Sequence, residues 1–265
     1  MTLPSGNPNT FGKPNLWAHI PCAYRADRPL RLAFVFHGHA NCLESLVGDA
    51  GVRCRPGDAP RIAHDVAAQV DRSGTGAIVL VPQLAYDERH GDPGVLDSGP
   101  ALEKLAREAL EGPLSPALGA RRLADVERVA MIAISGGYQA LHAVLGAFGD
   151  RTREVFLLDA YYAEHGPVDA WVDKHVADFA RGGARPRRLG VIYSGLDSTR
   201  PLTQAFAARV AAAMQKDGLA TSMLHRDVPR DPTVDELATP VAFLFSDKDH
   251  DDIPRTDLAK VLAGF

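Results

Sequence analysis

Six short apolar runs, set at intervals along 265 residues, constrain this chain more than any other feature. They are "LRLAFVFHG" (30–38), "GAIVLVPQ" (76–83), 128–134, "EVFLLDA" (154–160), "RLGVIYSG" (188–195) and "VAFLFSD" (241–247). Each is too short for a core helix and shows no polar alternation, which suits a strand buried on both faces. Between them lie segments of helical spacing at 59–72, 100–112, 137–148, 168–181, 201–217 and 254–264. In the first, Ile62, Val66 and Val70 fall at i, i+4 and i+8. Strands that alternate with helices predict an α/β fold, a mainly parallel, doubly wound sheet with helices on both faces. One domain is expected over 1–265. The Pro/Gly/Asn-rich residues 1–14 read as a loose arm, "NLWAHIPCAY" (15–24) as an edge strand, and 84–98 as a loop.

Composition narrows the function classes. A formal net charge of −4 and no basic stretch argue against a nucleic-acid binder. No apolar run approaches the ~18 residues of a membrane span. The start "MTLPSGNPNTFGKPN" lacks the charged and apolar regions of a signal peptide. The expected location is the cytoplasm, or outside it with the signal peptide absent from this chain. Cysteines occur at 22, 42 and 54, an odd number that argues against a disulfide framework. A Cys42–Cys54 bridge fits an exported protein; three reduced thiols fit a cytoplasmic one.

In open parallel sheets, ligands bind beyond the carboxyl ends of the strands. Those ends carry "HGHAN" (37–41), Ser135, Asp159, "SGLDS" (194–198) and "DKDHDD" (247–252). A serine, two candidate aspartates and a histidine are thereby brought to one edge of one sheet. Ser135 stands at a strand-to-helix corner, with small residues, Ala133 and Gly137, two positions away on either side. Such a turn lifts the hydroxyl above the sheet and tolerates only small neighbours. Gly136 opens the helix, and its N–H points where an oxyanion would form. The plain structural alternative is a serine capping an ordinary crossover helix.

From these residues the chain resembles the α/β-hydrolase superfamily over residues 30 to 264. Its serine pattern, A-x-S-x-G, departs modestly from the usual G-x-S-x-G. The superfamily order of nucleophile, acid and histidine implies Ser135, then an aspartate, then His250. The loop His37-Gly38 is similar to the superfamily's oxyanion loop, which implies the His39 and Gly136 N–H groups as oxyanion donors. Two acids compete. Asp197 follows the strand that carries the acid in most members. Asp159 follows the previous strand, 24 residues after Ser135, in a "FLLDA" setting that resembles the "LDPA" segment of pancreatic-type lipases. Asp159 is the preferred acid and Asp197 the alternative.

The resemblance implies a serine hydrolase that cleaves a carboxylic ester in a small or polymeric acyl substrate, without an organic cofactor. His37, Asn41 and Tyr161 are candidate substrate contacts, with Tyr162 beside them. Amide cleavage is the alternative within the same fold. A metal-dependent hydrolase using His37, His39 and His250, and an inactive binding protein, are the alternatives outside it. The span from Asp159 to the next strand holds about one helix and a turn, too little for a large cap.

Overall fold

All six predicted runs are strands of one sheet. The computed structural model describes residues 1–8, 13–85, 91–119, 121–164, 166–180 and 186–265. The strands are β1 (Leu16–His19), β2 (Leu30–Phe36), β3 (Ile78–Pro82), β4 (Val126–Ile134), β5 (Thr152–Leu158), β6 (Arg188–Tyr193), β7 (Met223–Arg226) and β8 (Val241–Phe245). They lie in the order β1-β3-β2-β4-β5-β6-β8-β7. β1 pairs antiparallel to β3 at one edge, and the other pairings are parallel.

The apolar runs are continuous because alternate residues feed two different cores. Leu32, Phe34, Met131, Leu157, Val191 and Phe243 face one side. There they meet α3 (Gly99–Glu111), α5 (Tyr138–Val144), α6 (Pro167–His175) and α7 (Arg200–Lys216). Ala33, Val35, Ile132, Leu158, Ile192 and Leu244 face the other. That side is covered by α1 (Leu43–Val47), α2 (Val66–Ser73), α8 (Val234–Leu237) and α9 (Asp252–Ala263), with the short α4 (Ser115–Leu118) elsewhere. Burial on both faces at about 25 cal/mol per Å² makes any register slip costly.

Three elements differ from what the sequence predicts. The helix expected over 59–72 starts only at Val66, because Asp65 adopts a left-handed φ of 51° and Ile62 is exposed. β7 was not expected; its "MLHR" has only half-buried and exposed residues and lacks the strong apolar signal. Residues 1–8 are not loose: the Met1 ammonium donates to the Leu16 carbonyl, and Ser5 bonds Glu108. Part of the expected loop 84–98, residues 86–90, lies outside the described residues. Between β5 and β6 the described chain holds α6 and a short 3-10 turn, Val176–Phe179, and no large cap.

Candidate active site

Ser135 sits immediately after β4, in a 3-10 turn, Ser135–Gly137, that leads into α5. Its φ is 50°, a left-handed backbone that costs a non-glycine residue about 1–3 kcal/mol. Glycines on either side make this corner possible. A Cβ on Gly137 would lie 2.3 Å from the Phe36 carbonyl oxygen, so only glycine lets the turn pack on the end of β2. A Cβ on Gly38 would lie 2.9 Å from the Ser135 Cβ, so the loop after β2 passes directly beside the serine.

His250 lies between β8 and α9. Lys248, two residues before it, reaches the fully buried Asp257 of α9 at 2.7 Å and so pins this loop. His250 Nε2 is 2.7 Å from Ser135 Oγ, and its Nδ1 is 2.9 Å from Asp159 Oδ2. A carboxylate only accepts, so Nδ1 carries the proton and Nε2 is free to accept from the serine hydroxyl. Asp159 is fully buried at the end of β5, with a φ of 47° and its N–H bonded to the Ile192 carbonyl of β6 at 2.7 Å. Its carboxylate also accepts from the Ser194 hydroxyl and, at 2.6 Å, from the Thr199 hydroxyl.

These contacts set the protonation states. Burial works to raise the Asp159 pKa, but the hydrogen bonds from His250, Ser194 and Thr199 outweigh it and hold the carboxyl below its ordinary value. Burial works to lower His250, but the hydrogen bond and charge of Asp159, helped by Asp251, hold it above the usual histidine value. The pair therefore favours a carboxylate facing a basic imidazole.

The other candidates separate. Asp197, the alternative acid, is exposed in the loop between β6 and α7, while Asp159 carries the bond to His250. His37 is buried away from the cleft. The Leu84 N–H donates to its Nε2 at 2.9 Å, and its Nδ1 lies 3.2 Å from the Gly38 carbonyl. With both ring nitrogens engaged and burial pushing its pKa down to about 4, it braces the loop after β2. Tyr161 is also turned into the core, stacked on Phe206 at 4.5 Å, with its hydroxyl on Asp169. Its neighbour Tyr162 takes the place in the cleft, its hydroxyl 3.3 Å from Ser135 Oγ. Among the described residues, no three His, Cys, Asp or Glu side chains gather as a metal-ligand set.

Two cavities meet at Ser135, and His39 lines both. One, of about 180 Å³, runs past His250 and is walled by Asn41, Arg61, His64 and Asp251. The other, of about 360 Å³, runs past Gly136 and is walled by Tyr138, Gln139 and Tyr162. Arg61 and His64 carry no sequence motif; they come from an irregular segment before α2 whose spacing predicts helix. Cys42 and Cys54 form a disulfide, with Cα atoms 5.5 Å apart, that ties this segment to the loop after β2. Cys22 is free and exposed.

No protein-family model matches the sequence, and no curated protein matches it by sequence. Solved structures do match. A feruloyl esterase module from Clostridium thermocellum, complexed with sinapinate, is 12% identical with a TM-score of 0.52; the match covers 100% of this chain and 90% of that one. A glucuronoyl esterase from Solibacter usitatus is 14% identical with a TM-score of 0.48, over 94% of this chain and 77% of that one. An S-formylglutathione hydrolase from Agrobacterium tumefaciens is 15% identical with a TM-score of 0.44, over 94% and 88%.

Proposed function

We propose that this chain, which has the α/β-hydrolase fold, is a serine hydrolase that cleaves a carboxylic ester through an acyl-enzyme. The observation that carries the reading is the unbroken hydrogen-bond chain from Ser135 through His250 to the buried Asp159. A strained serine at a strand-helix corner supports it, because strain of this kind persists where the surroundings over-determine it and clusters at functional sites.

In this mechanism Ser135 Oγ attacks the ester carbonyl carbon while His250 Nε2 takes its proton. Asp159 holds the imidazole in the Nδ1–H tautomer and stabilises the imidazolium. The His39 and Gly136 N–H groups hold the oxyanion. His250 then gives its proton to the departing alcohol oxygen. Water repeats the sequence on the acyl-enzyme and frees the acid. An ester is the favoured substrate over an amide because an alcohol leaves more easily than an amine. No step needs a metal or an organic cofactor.

General-acid geometry assigns the two cavities. The leaving oxygen must lie beside His250 Nε2 to be protonated, so the cavity past His250 takes the alcohol and the cavity past Gly136 and Tyr162 takes the acyl group. The Cys42–Cys54 bridge favours an oxidising compartment, since disulfides persist there and are reduced in the cytosol. Labelling with a fluorophosphonate tests the reading: modification of Ser135 alone, abolished in Ser135→Ala together with esterase activity, is expected. Labelling at another residue, or full activity in the alanine variant, would overturn it.

A further inference from the structure

The cavity past His250 has a mixed wall, apolar at Ile134 and Pro254 and polar in a specific way elsewhere. Arg61 offers only donors, Asp251 only acceptors, and Asn41 offers both. His64 is 4% exposed, and burial pushes its pKa down to about 4 against the pull of Asp251. A neutral imidazole presents one donor and one acceptor.

This wall is anchored rather than floppy. The His64 N–H donates to the Ser45 carbonyl at 3.1 Å, and the Arg61 N–H donates to the Val52 carbonyl at 2.8 Å. Gln69 of α2 donates to the His64 carbonyl at 2.7 Å and to the Pro254 carbonyl of α9 at 3.0 Å, which ties both sides of the cavity together. The Cys42–Cys54 bridge closes the far end of the same segment.

Three kinds of alcohol can be weighed against this wall. An alkyl alcohol would strip water from Arg61, Asn41, His64 and Asp251 and return no hydrogen bonds. A carboxylate-bearing alcohol would gain Arg61 but face Asp251. An alcohol with several hydroxyls, each a donor and an acceptor, satisfies the whole set. The volume, about 180 Å³, is below the ~300 Å³ of ordinary ligand pockets, so it holds one small unit with the remainder outside.

We propose that the cavity walled by Asn41, Arg61, His64 and Asp251 is a leaving-group subsite for a polyhydroxylated alcohol, a sugar unit carrying the ester. The proposal rests on the serine-esterase reading. In the step concerned, the Ser135 Oγ–acyl bond forms and the acyl–sugar oxygen bond breaks. The proton taken from Ser135 passes through His250 Nε2 to the sugar oxygen.

The test compares two acetates of matched ring size, glucose acetylated at its primary hydroxyl and cyclohexylmethyl acetate. Each kcat/KM is normalised to the substrate's hydroxide-catalysed rate, with para-nitrophenyl acetate as the reference for the triad. The wild-type protein is expected to prefer the sugar ester by ~100-fold or more, since a site built to bond hydroxyls rejects the analogue that lacks them. Arg61→Met and Asn41→Leu are each expected to cut that ratio about tenfold, the scale of one or two lost hydrogen bonds. A wild-type ratio near one, with para-nitrophenyl acetate still cleaved, overturns the subsite and leaves the esterase reading standing. A ratio that neither variant changes also overturns it. A protein inert to para-nitrophenyl acetate overturns both readings together.

Discussion

Removing the charge of Asp159 while keeping its shape separates what that carboxylate does from what merely surrounds it. Its Oδ1 accepts from Thr199, and its Oδ2 accepts from Ser194 and His250. In Asp159→Asn the amide nitrogen takes the Oδ1 position. There it meets the Thr199 hydroxyl, which can accept while donating to the Leu196 carbonyl it already approaches at 3.4 Å. The remaining amide oxygen still accepts from His250, so the productive tautomer survives and only the charge is lost. Opposite charges about 4 Å apart interact by about 4 kcal/mol at an effective dielectric of 20. Losing that stabilisation of the imidazolium costs about 10³ in kcat at 1.36 kcal/mol per decade. Where asparagine also forces the wrong tautomer in a comparable triad, the loss is about 10⁴, which bounds the estimate. Asp197 is exposed and the carboxylate bonded to His250 is that of Asp159, so Asp197→Asn is expected to cost less than about tenfold. The assay is kcat on one activated ester for both variants, with folding checked by circular dichroism. A loss under tenfold in Asp159→Asn, or a thousandfold loss in Asp197→Asn, would refute the assignment.

Three further outcomes are expected. Protonated His250 cannot accept the serine proton, and its pKa is raised, so kcat/KM falls as pH drops through a midpoint above the ordinary histidine value of about 6.5; in Asp159→Asn that midpoint moves to lower pH, and a pH–rate profile of each protein reads it. Gly137→Ala puts a methyl 2.3 Å from the Phe36 carbonyl oxygen and is expected to cost about 3 kcal/mol or more, seen as a lowered Tm with loss of esterase activity; an unchanged Tm would contradict the packing described. Replacing both Cys42 and Cys54 by serine opens a closed loop with a sequence separation of 12, an expected cost of about 3 kcal/mol by chain entropy, and thermal melts with and without reductant measure it.

Much of this was legible in the sequence because it is local or periodic. Unbroken apolar runs of strand length, separated by helical spacing, allow few arrangements once connections must be right-handed and both faces buried. The same logic places Ser135, Asp159 and His250 at one sheet edge, because the first two directly follow strands and His250 lies in the loop that leaves β8. What followed from tertiary structure was direction and distance. Adjacent residues Tyr161 and Tyr162 look equivalent in sequence, yet one stacks on Phe206 in the core and the other reaches Ser135. His37 reads as a cleft residue until the Leu84 N–H is seen to occupy its ring nitrogen. Asp159 and Asp197 both follow buried strands, and only the pairing of β5 beside β4 and β6 brings the former under His250. Arg61 and His64 had no motif at all. Their place beside the serine comes from an irregular segment held by a disulfide, by Ser45 and by Gln69 reaching from α2 to α9, contacts between parts of the chain up to 185 residues apart that no local pattern encodes.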